Sequence, residues 1–220
     1  MCIRDRITAV RERKGAPLRV AVIGLGSGTL ACASLPGEDW KFFEIDQTMV
    51  DTARDPKYFT YIQSCEPDMK PVIGDARLTF AREPNGVYDL IIVDAYSSDA
   101  IPIHLATEEA MEIYKEKLAP QGVVAMHVSN RHLELSSVVV GIADANDMKS
   151  WVYSEDSGRD NEYIFSTSVV VSARQEADVG SLASSDKWAE TEAEDHQRVW
   201  TDDYSNVLGA VWRRLRDGEQ

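Results

Sequence analysis

The hydrophobic pattern of the chain becomes regular at Leu18, where the apolar run LRVAVI leads directly into the segment GLGSGT. A run with little polar alternation is typical of a central parallel strand that is covered on both faces. Three alternating glycines follow it, Gly24, Gly26 and Gly28. Because glycine lets a turn pass close to a ligand, this pattern predicts a strand that ends at a nucleotide-binding loop.

Strand and helix signals alternate along the rest of the chain, which predicts βαβ architecture. Further strands are expected at residues 41–45, 70–73, 88–94 and 122–128. Helices are expected to begin at residues 29, 46, 75 and 107 and, on a weaker pattern, to span 133–146. Two extended runs, 151–153 and 165–172, then predict a terminal antiparallel pair. The predicted fold class is therefore α/β, a Rossmann-like and mostly parallel sheet with an antiparallel terminal strand.

The chain is expected to divide into three segments. Residues 1–17 form an N-terminal extension, in which MCIRDR matches no fold signal and is interpreted as foreign to the domain, whereas 7–14 predicts a short helix. Residues 18–175 form the nucleotide-binding catalytic domain. In residues 176–220, an acidic mobile linker at 176–185 is expected to precede surface helices at 187–199 and 207–215.

Composition narrows the class of protein. At 220 residues and 44% hydrophobic content, the chain can bury the core of one α/β domain. Its formal net charge of −14 argues against a nucleic-acid partner and, weakly, favours a cationic substrate. No apolar run approaches the roughly 18 residues of a membrane span, and no leader marks secretion. The scattered cysteines, Cys2, Cys32 and Cys65, predict reduced thiols and a cytoplasmic protein.

The spacing of the loop indicates the kind of ligand. A dinucleotide fingerprint GxGxxG would need glycine at Thr29, whereas GxGxG is the pattern expected for an adenosyl group with a sulfonium tail. The sequence therefore favours S-adenosylmethionine or a derivative over NAD. Glu44 ends the next predicted strand, about where such a fold places the carboxylate that accepts the ribose hydroxyls. The neighbouring residues predicted to line the nucleotide are Leu25, Ser27 and Ile45.

Two further carboxylates follow predicted strands. In GDAR, the Asp75 side chain and the Ala76 amide are candidates to recognise the adenine edge, although Asp75 is equally suited to capping the helix that follows. Asp46 is interpreted as a helix cap.

A second motif that bears on function is the segment YDLIIVDAYSSDAIPIHL, in which Asp94 follows an apolar strand and is expected to lie at the sheet edge. Attack on a sulfonium-activated carbon requires an amine that has lost its proton, so a carboxylate here can serve as base and as anion. The polar loop that follows is long enough to form a lid, with Asp99 as a second carboxylate or as an ordinary turn residue. Tyr96 is placed to stack on a substrate or to cover the core.

No metal site is predicted. His127 and His132 are five residues apart, which lacks the one-face geometry of a helical zinc pair, so both are interpreted as structural. His104 lies on the predicted lid, where loop packing or exposure to solvent is the favoured interpretation.

Several motifs together resemble the bacterial spermidine synthase-like proteins, including those fused to a membrane transporter-like half. The motifs run between Val20 and Leu208 and read GLGSGTL, FFEID, GDARLTF, DAYSSDAIPIHLATEEAMEIY, HVSNRHLEL and WTDDYSNVL. The resemblance implies the seven-stranded fold of S-adenosylmethionine-dependent transferases. It also implies transfer of an aminopropyl group from decarboxylated S-adenosylmethionine to putrescine or a related amine, in a protein that could form a homodimer.

The resemblance also implies residue roles. The glycine loop would line the nucleotide, Glu44 would hold the ribose, Asp75 and Ala76 would contact adenine, and Asp94 would assist deprotonation of the amine with Asp99 on the gate loop. Three departures stand out: Ser27 replaces an aspartate that holds the aminopropyl tail, Asp94 and Asp99 are further apart than in the D-S-S/T-D gate, and no β-hairpin domain precedes Leu18. The alternatives are a methyltransferase that uses intact S-adenosylmethionine, and a non-catalytic nucleotide-binding or polyamine-binding module.

Overall fold

Eight strands form one sheet in the part of the chain that the computed structural model describes, residues 2–96, 102–130, 132–155, 167–193 and 197–217. They are β1 (Arg19–Ile23), β2 (Asp39–Glu44), β3 (Val72–Ile73), β4 (Tyr88–Val93), β5 (Leu118–His127), β6 (Lys149–Glu155), β7 (Thr167–Ala173) and β8 (Ala189–Thr191). Their order is β3-β2-β1-β4-β5-β7-β6-β8. The first five of these are parallel, β7 is antiparallel to β5 and β6, and β8 is antiparallel to β6.

Helices and short 3-10 segments cover both faces of this sheet. The α-helices are α1 (Cys2–Lys14), α2 (Gln47–Arg54), α3 (Tyr61–Cys65), α4 (Ala76–Phe80), α5 (Glu108–Lys117), α6 (Ser136–Asp144) and α7 (Val207–Asp217). The 3-10 segments span Thr29–Ala33, Ile103–Leu105 and Glu176–Leu182. One hydrophobic core joins α4, α5, α6 and α7 to the sheet, and a second joins α1, α2, α3 and the segment Glu176–Leu182 to the opposite face. Burial on both faces explains why β1 and β4 are almost entirely apolar.

The fold class predicted from the sequence is confirmed: the sheet is mostly parallel, and antiparallel strands complete one end. Over the described residues the sheet has eight strands rather than the seven that the resemblance implies, because β8 pairs with β6 at its edge. Asp46 caps α2 by accepting the backbone N–H of Thr48 at 2.8 Å, as predicted. The division into three segments stays a prediction, and so does the foreign origin of MCIRDR. The first helix begins at Cys2 rather than at residue 7, and its Ile7 and Val10 are buried in the core.

The predictions for residues 176–199 are wrong. The expected mobile linker is an ordered 3-10 segment that buries Val179 and Leu182 against the sheet. The expected surface helix at 187–199 contains β8, and Trp188 before it is buried. Acidic residues dominate the sequence here, but apolar side chains spaced between them anchor the backbone to the core, which the overall charge conceals.

The prediction of free thiols is also wrong for two of the three cysteines. Cys32 and Cys65 form a disulfide, with their Cα atoms 5.0 Å apart. It joins the 3-10 turn after the glycine loop to the end of α3, two elements that lie in contact although 33 residues separate the cysteines. Within the described residues, none of the helices combines the length and the apolar character needed to span a bilayer.

Candidate active site

The carboxyl ends of β1, β2 and β4 meet at one edge of the sheet, beside a cleft of about 420 Å³. A cleft of this size lies within the range of small-molecule sites. Residues from separate parts of the chain line it together, and those predicted from the sequence are Gly24, Leu25, Gly26, Ser27, Glu44, Ile45, Ala76, Asp94 and Tyr96.

Glycine is favoured at positions 24 and 26 of the loop for different physical reasons. Gly24 has a φ of +100°, and a Cβ there would lie 2.4 Å from the carbonyl oxygen of Asp94, so the ends of β1 and β4 can approach only if position 24 lacks a side chain. Gly26 has a φ of +52°, but a Cβ there would meet nothing within 4 Å. Gly24 therefore closes the packing of the strands, whereas Gly26 leaves bare backbone facing the open cleft.

Glu44 is 9% exposed and fixes the loop from the neighbouring strand. Its Oε2 accepts the backbone N–H of Leu25 at 2.9 Å. Its Oε1 accepts the backbone N–H groups of Ile45 and Asp46 at 2.9 and 3.1 Å. The carboxylate thus satisfies peptide groups at both strand ends while lining the cleft, and its role toward a ribose stays a prediction.

Asp75 lies at the rim rather than in the cleft. Its Oδ1 accepts the backbone N–H of Arg77 at 2.8 Å, which caps α4, and its Oδ2 lies 3.7 Å from Nε2 of His104. Asp75 lines an adjacent surface depression, Ala76 lines the cleft itself, and His104 lines both. The helix-capping interpretation of Asp75 is confirmed, and contact with adenine stays a prediction.

Asp94 stands at the end of β4 and makes a hydrogen-bonded pair with a histidine. Its Oδ1 lies 2.8 Å from Nδ1 of His127, and Nε2 of that ring lies 2.7 Å from Oγ of Ser129. The Tyr96 ring stands edge-on to the His127 ring, with centroids 5.0 Å apart. Burial, and then the charge of Asp94, raise the pKa of Tyr96 above its ordinary value, so its hydroxyl stays neutral.

Sequence reasoning assigned His127 a structural role and did not connect it with Asp94. The available signal was its position: His127 ends β5, and β5 is the parallel neighbour of β4, so both residues reach the same sheet edge. His104 and Met49 also line the cleft and were not predicted to do so. Asp99 lies outside the described residues, and the expectation that no metal takes part stays a prediction.

The charged side chains that line the cleft are mainly anionic. Among the described residues that line it, Glu44 and Asp94 are carboxylates and none is lysine or arginine. Ile45 and Met49 add exposed apolar surface at its edge. Such a cleft attracts a ligand that combines an apolar ring with positive charge.

Comparisons of the sequence agree with the resemblance stated above. No family model matches the chain. A polyamine aminopropyltransferase of Vibrio vulnificus strain CMCP6 is 34% identical over 113 residues, which cover 49% of this chain and 36% of that protein. The chain thus matches about a third of the length of this curated relative.

Solved structures show the same fold at low sequence identity. A probable spermidine synthase from Corynebacterium glutamicum aligns with a TM-score of 0.61 and 17% identity, covering 96% of this chain and 69% of that chain. Human methyltransferase-like protein 13, solved in complex with SAH, aligns with a TM-score of 0.54 and 20% identity over 98% of this chain and 93% of that chain. These likenesses confirm the methyltransferase-like Rossmann fold, and with the curated relative they confirm the resemblance to spermidine synthases.

Proposed function

We propose that this chain is a transferase that moves an aminopropyl group from decarboxylated S-adenosylmethionine to putrescine or a related amine. The relative that matches about half of the chain is named a polyamine aminopropyltransferase, and a probable spermidine synthase shares the fold. Neither likeness specifies substrates for this chain, so the proposal depends on the chemistry of the cleft.

The observation that carries the proposal is the charge of the cleft beside the glycine loop. Intact S-adenosylmethionine carries a carboxylate on its tail, which calls for a cationic or hydrogen-bonding partner. No described lining residue is lysine or arginine, whereas Glu44 and Asp94 are anionic. The decarboxylated donor lacks the carboxylate and keeps its ammonium and sulfonium charges, so its charge complements this lining.

The residues present divide the work of binding and deprotonation. The backbone at Gly26 and the apolar side chains of Ile45 and Met49 would hold the adenosyl part. When bound, the donor supplies a carbon activated by its sulfonium; the amine nitrogen forms a bond to that carbon while the C–S electron pair returns to sulfur. Asp94 would hold the incoming alkylammonium and accept its proton, which frees the nitrogen lone pair.

A second candidate function, methyl transfer from intact S-adenosylmethionine, is favoured by Ser27. In the family that the sequence resembles, an aspartate at this place in the loop holds the aminopropyl ammonium, and a neutral hydroxyl cannot balance that charge. Methyltransferase-like protein 13 was solved with SAH and has a similar fold, which supports the same alternative.

Product analysis separates these functions. The protein is incubated with putrescine and either donor, and the products are followed by mass. Aminopropylated amine from the decarboxylated donor supports the proposal, and methylated product without aminopropyl transfer supports the alternative. If neither donor reacts and Asp94→Asn leaves donor binding unchanged, a non-catalytic binding module is the better description. Asp51→Asn, on the exposed surface of α2, is the matched control.

A cytoplasmic location and a homodimer belong to the same proposal. The Cys32–Cys65 disulfide removes the free-thiol observation on which the location was first predicted. Cell fractionation tests the location independently of the disulfide, which is more typical of an oxidising compartment than of the cytoplasm. Size-exclusion chromatography with light scattering tests the dimer.

A further inference from the structure

The carboxylate proposed as the base is held by a histidine that lies on the neighbouring strand. Val93 of β4 is in register with Met126 of β5, so the next residues, Asp94 and His127, emerge side by side at the sheet edge. Both side chains are about three-quarters buried, with 27% and 25% of their surfaces exposed. The Nδ1–Oδ1 distance of 2.8 Å is that of a good hydrogen bond.

The partners of the ring determine where its proton lies. An ionised carboxylate only accepts hydrogen bonds, so Nδ1 of His127 must carry the proton that it shares with Asp94. Nε2 lies 2.7 Å from Oγ of Ser129. That hydroxyl also lies 3.4 Å from the carbonyl oxygen of Ser168, so it can donate to either acceptor. Oγ of Ser129 in turn accepts the backbone N–H of Ser168 at 2.8 Å, which fixes the hydroxyl in place. The contact with Asp94 therefore places a proton on Nδ1 of His127.

We infer that His127 is a positioning residue for the transfer reaction: its Nδ1–H holds Oδ1 of Asp94 and leaves Oδ2 to receive the amine. This inference rests on the proposed function. Asp94 lines the cleft, and its Oδ2 has no hydrogen-bond partner among the residues that the structure describes. Tyr96 packs against the ring edge and further limits its rotation.

As a consequence, the Asp94 carboxylate keeps one fixed oxygen, Oδ2, toward the amine. Without His127 the two oxygens could exchange places by rotation of the side chain. Rotation of a free carboxylate would move the accepting oxygen relative to the amine, and misplacement of a reacting group by about 1 Å can lower a rate by about 10²-fold. Ser129 contributes indirectly, because the hydrogen bond between its Oγ and Nε2 fixes the orientation of the ring.

Variants at position 127 separate orientation of Asp94 from simple packing. In His127→Asn the amide nitrogen can occupy the place of Nδ1 and donate to Asp94, whereas the longer side chain of His127→Gln places its amide near Nε2. We expect His127→Asn to keep kcat within about fivefold of the wild type and His127→Gln to lose about 10²-fold in kcat. The KM for the donor should change less than about threefold, because His127 does not line the cleft in which the donor is proposed to bind. His132→Ala, at an exposed position of the same region, is the control.

A spectroscopic measurement tests the placement without relying on turnover. Long-range proton–nitrogen correlation spectra of histidine-labelled protein should show His127 protonated at Nδ1, and Asp94→Ala should abolish that preference. An Nε2–H tautomer in the wild type overturns the inference, as does equal kcat in His127→Asn and His127→Gln. If neither transfer occurs in the wild type, the proposed function fails and the kinetic role of His127 fails with it, while the spectra still decide whether the ring holds Asp94.

Discussion

The carboxyl edge of the sheet has two halves of different chemistry. The nucleotide half, named after the ligand proposed for it, lies over the ends of β1, β2 and β4 and presents backbone and carboxylates to the cleft of about 420 Å³. The hydroxyl half lies over the end of β5, the end of β6 and the start of β7. It surrounds a second cavity of about 300 Å³ whose lining includes Ser129, Ser136, Ser154 and Ser168.

The halves also differ in how far apart in sequence their partners lie. In the nucleotide half Glu44 binds the amides of the next two residues and of Leu25, so strand ends and short loops make the site. In the hydroxyl half Oγ of Ser168 lies 2.9 Å from that of Ser136, and its N–H binds Ser129, 39 residues away. The two halves meet where Asp94 binds His127. The proposed base therefore belongs to one half and is oriented by the other.

The largest expected effect comes from removing the charge at this border. Asp94→Asn should lower kcat by about 10²- to 10⁴-fold, because the amide can neither accept the amine proton nor hold its cation. Steady-state kinetics with putrescine and the decarboxylated donor measure this, beside Asp51→Asn as a control that retains activity. Unchanged kcat in Asp94→Asn would show that Asp94 takes no part in catalysis.

Within the nucleotide half, the disulfide is expected to contribute about 3–4 kcal/mol to the free energy of unfolding, because it closes a loop between residues 33 apart. Urea denaturation with and without reductant measures it. Cys32→Ser/Cys65→Ser should match the reduced wild type and should not respond to reductant. A response of the double variant equal to that of the wild type contradicts this assignment.

Substitutions at Gly24 and Gly26 should distinguish a glycine required for packing from a glycine that contacts the ligand. Gly24→Ala should lower the free energy of unfolding by about 3 kcal/mol, because strain at positive φ adds to a clash with the Asp94 carbonyl. Gly26→Ala meets no neighbour and should cost only about 1–2 kcal/mol from its left-handed backbone. It should instead weaken donor binding, since position 26 lines the cleft. Equal losses of stability in the two variants would refute this distinction.

The smallest effect is expected where the C-terminal segment meets α4. Asp202 accepts two hydrogen bonds from Arg77, at 2.9 and 2.8 Å, and a third from Thr107 at 2.8 Å. The Arg77 hydrogen bond, more than the other causes, lowers the pKa of Asp202. Since the folded pKa is depressed, its stabilisation is present above the unfolded pKa of about 3.9 and is lost as the pH falls through the lower folded value.

Because Asp202 is largely exposed, Asp202→Asn should cost only about 0.5–1 kcal/mol at pH 7. In urea titrations that difference from the wild type should shrink progressively as the pH falls below the unfolded pKa of about 3.9. Asp203→Asn, at the adjacent exposed position, should behave like the wild type throughout this pH range. A difference for Asp202→Asn that does not shrink as the pH falls would contradict an electrostatic cause.

Local patterns were sufficient to predict most of the residues that line the cleft beside the glycine loop, although Gly28 and Asp75 do not line it. The apolar run before Gly24, the spacing of Gly24, Gly26 and Gly28, and the carboxylates after strands each lie within a few consecutive residues. The same patterns did not reveal that Glu44 binds backbone at both strand ends, because that depends on how β1 and β2 align.

The hydroxyl half and the C-terminal segment needed information that spacing does not carry. His127 was compared with His132 along the sequence, whereas its partner, Asp94, is reached only through the pairing of β4 with β5. The disulfide likewise joins residues whose contact follows from the packing of α3 on the glycine loop, where Ile62 fills the space beside Gly28. Trp188 is buried and holds an acidic stretch against the core, whereas the composition of that stretch predicts a segment exposed to solvent.

Calorimetric binding of the two donors tests the central claim most directly, that an anionic cleft beside the glycine loop selects a donor without a carboxylate. Decarboxylated S-adenosylmethionine should bind about tenfold or more tightly than S-adenosylmethionine, because the extra carboxylate would face Glu44 and Asp94 without a lysine or arginine among the described lining residues. Equal affinities, tighter binding of the intact donor, or no binding of either would contradict it.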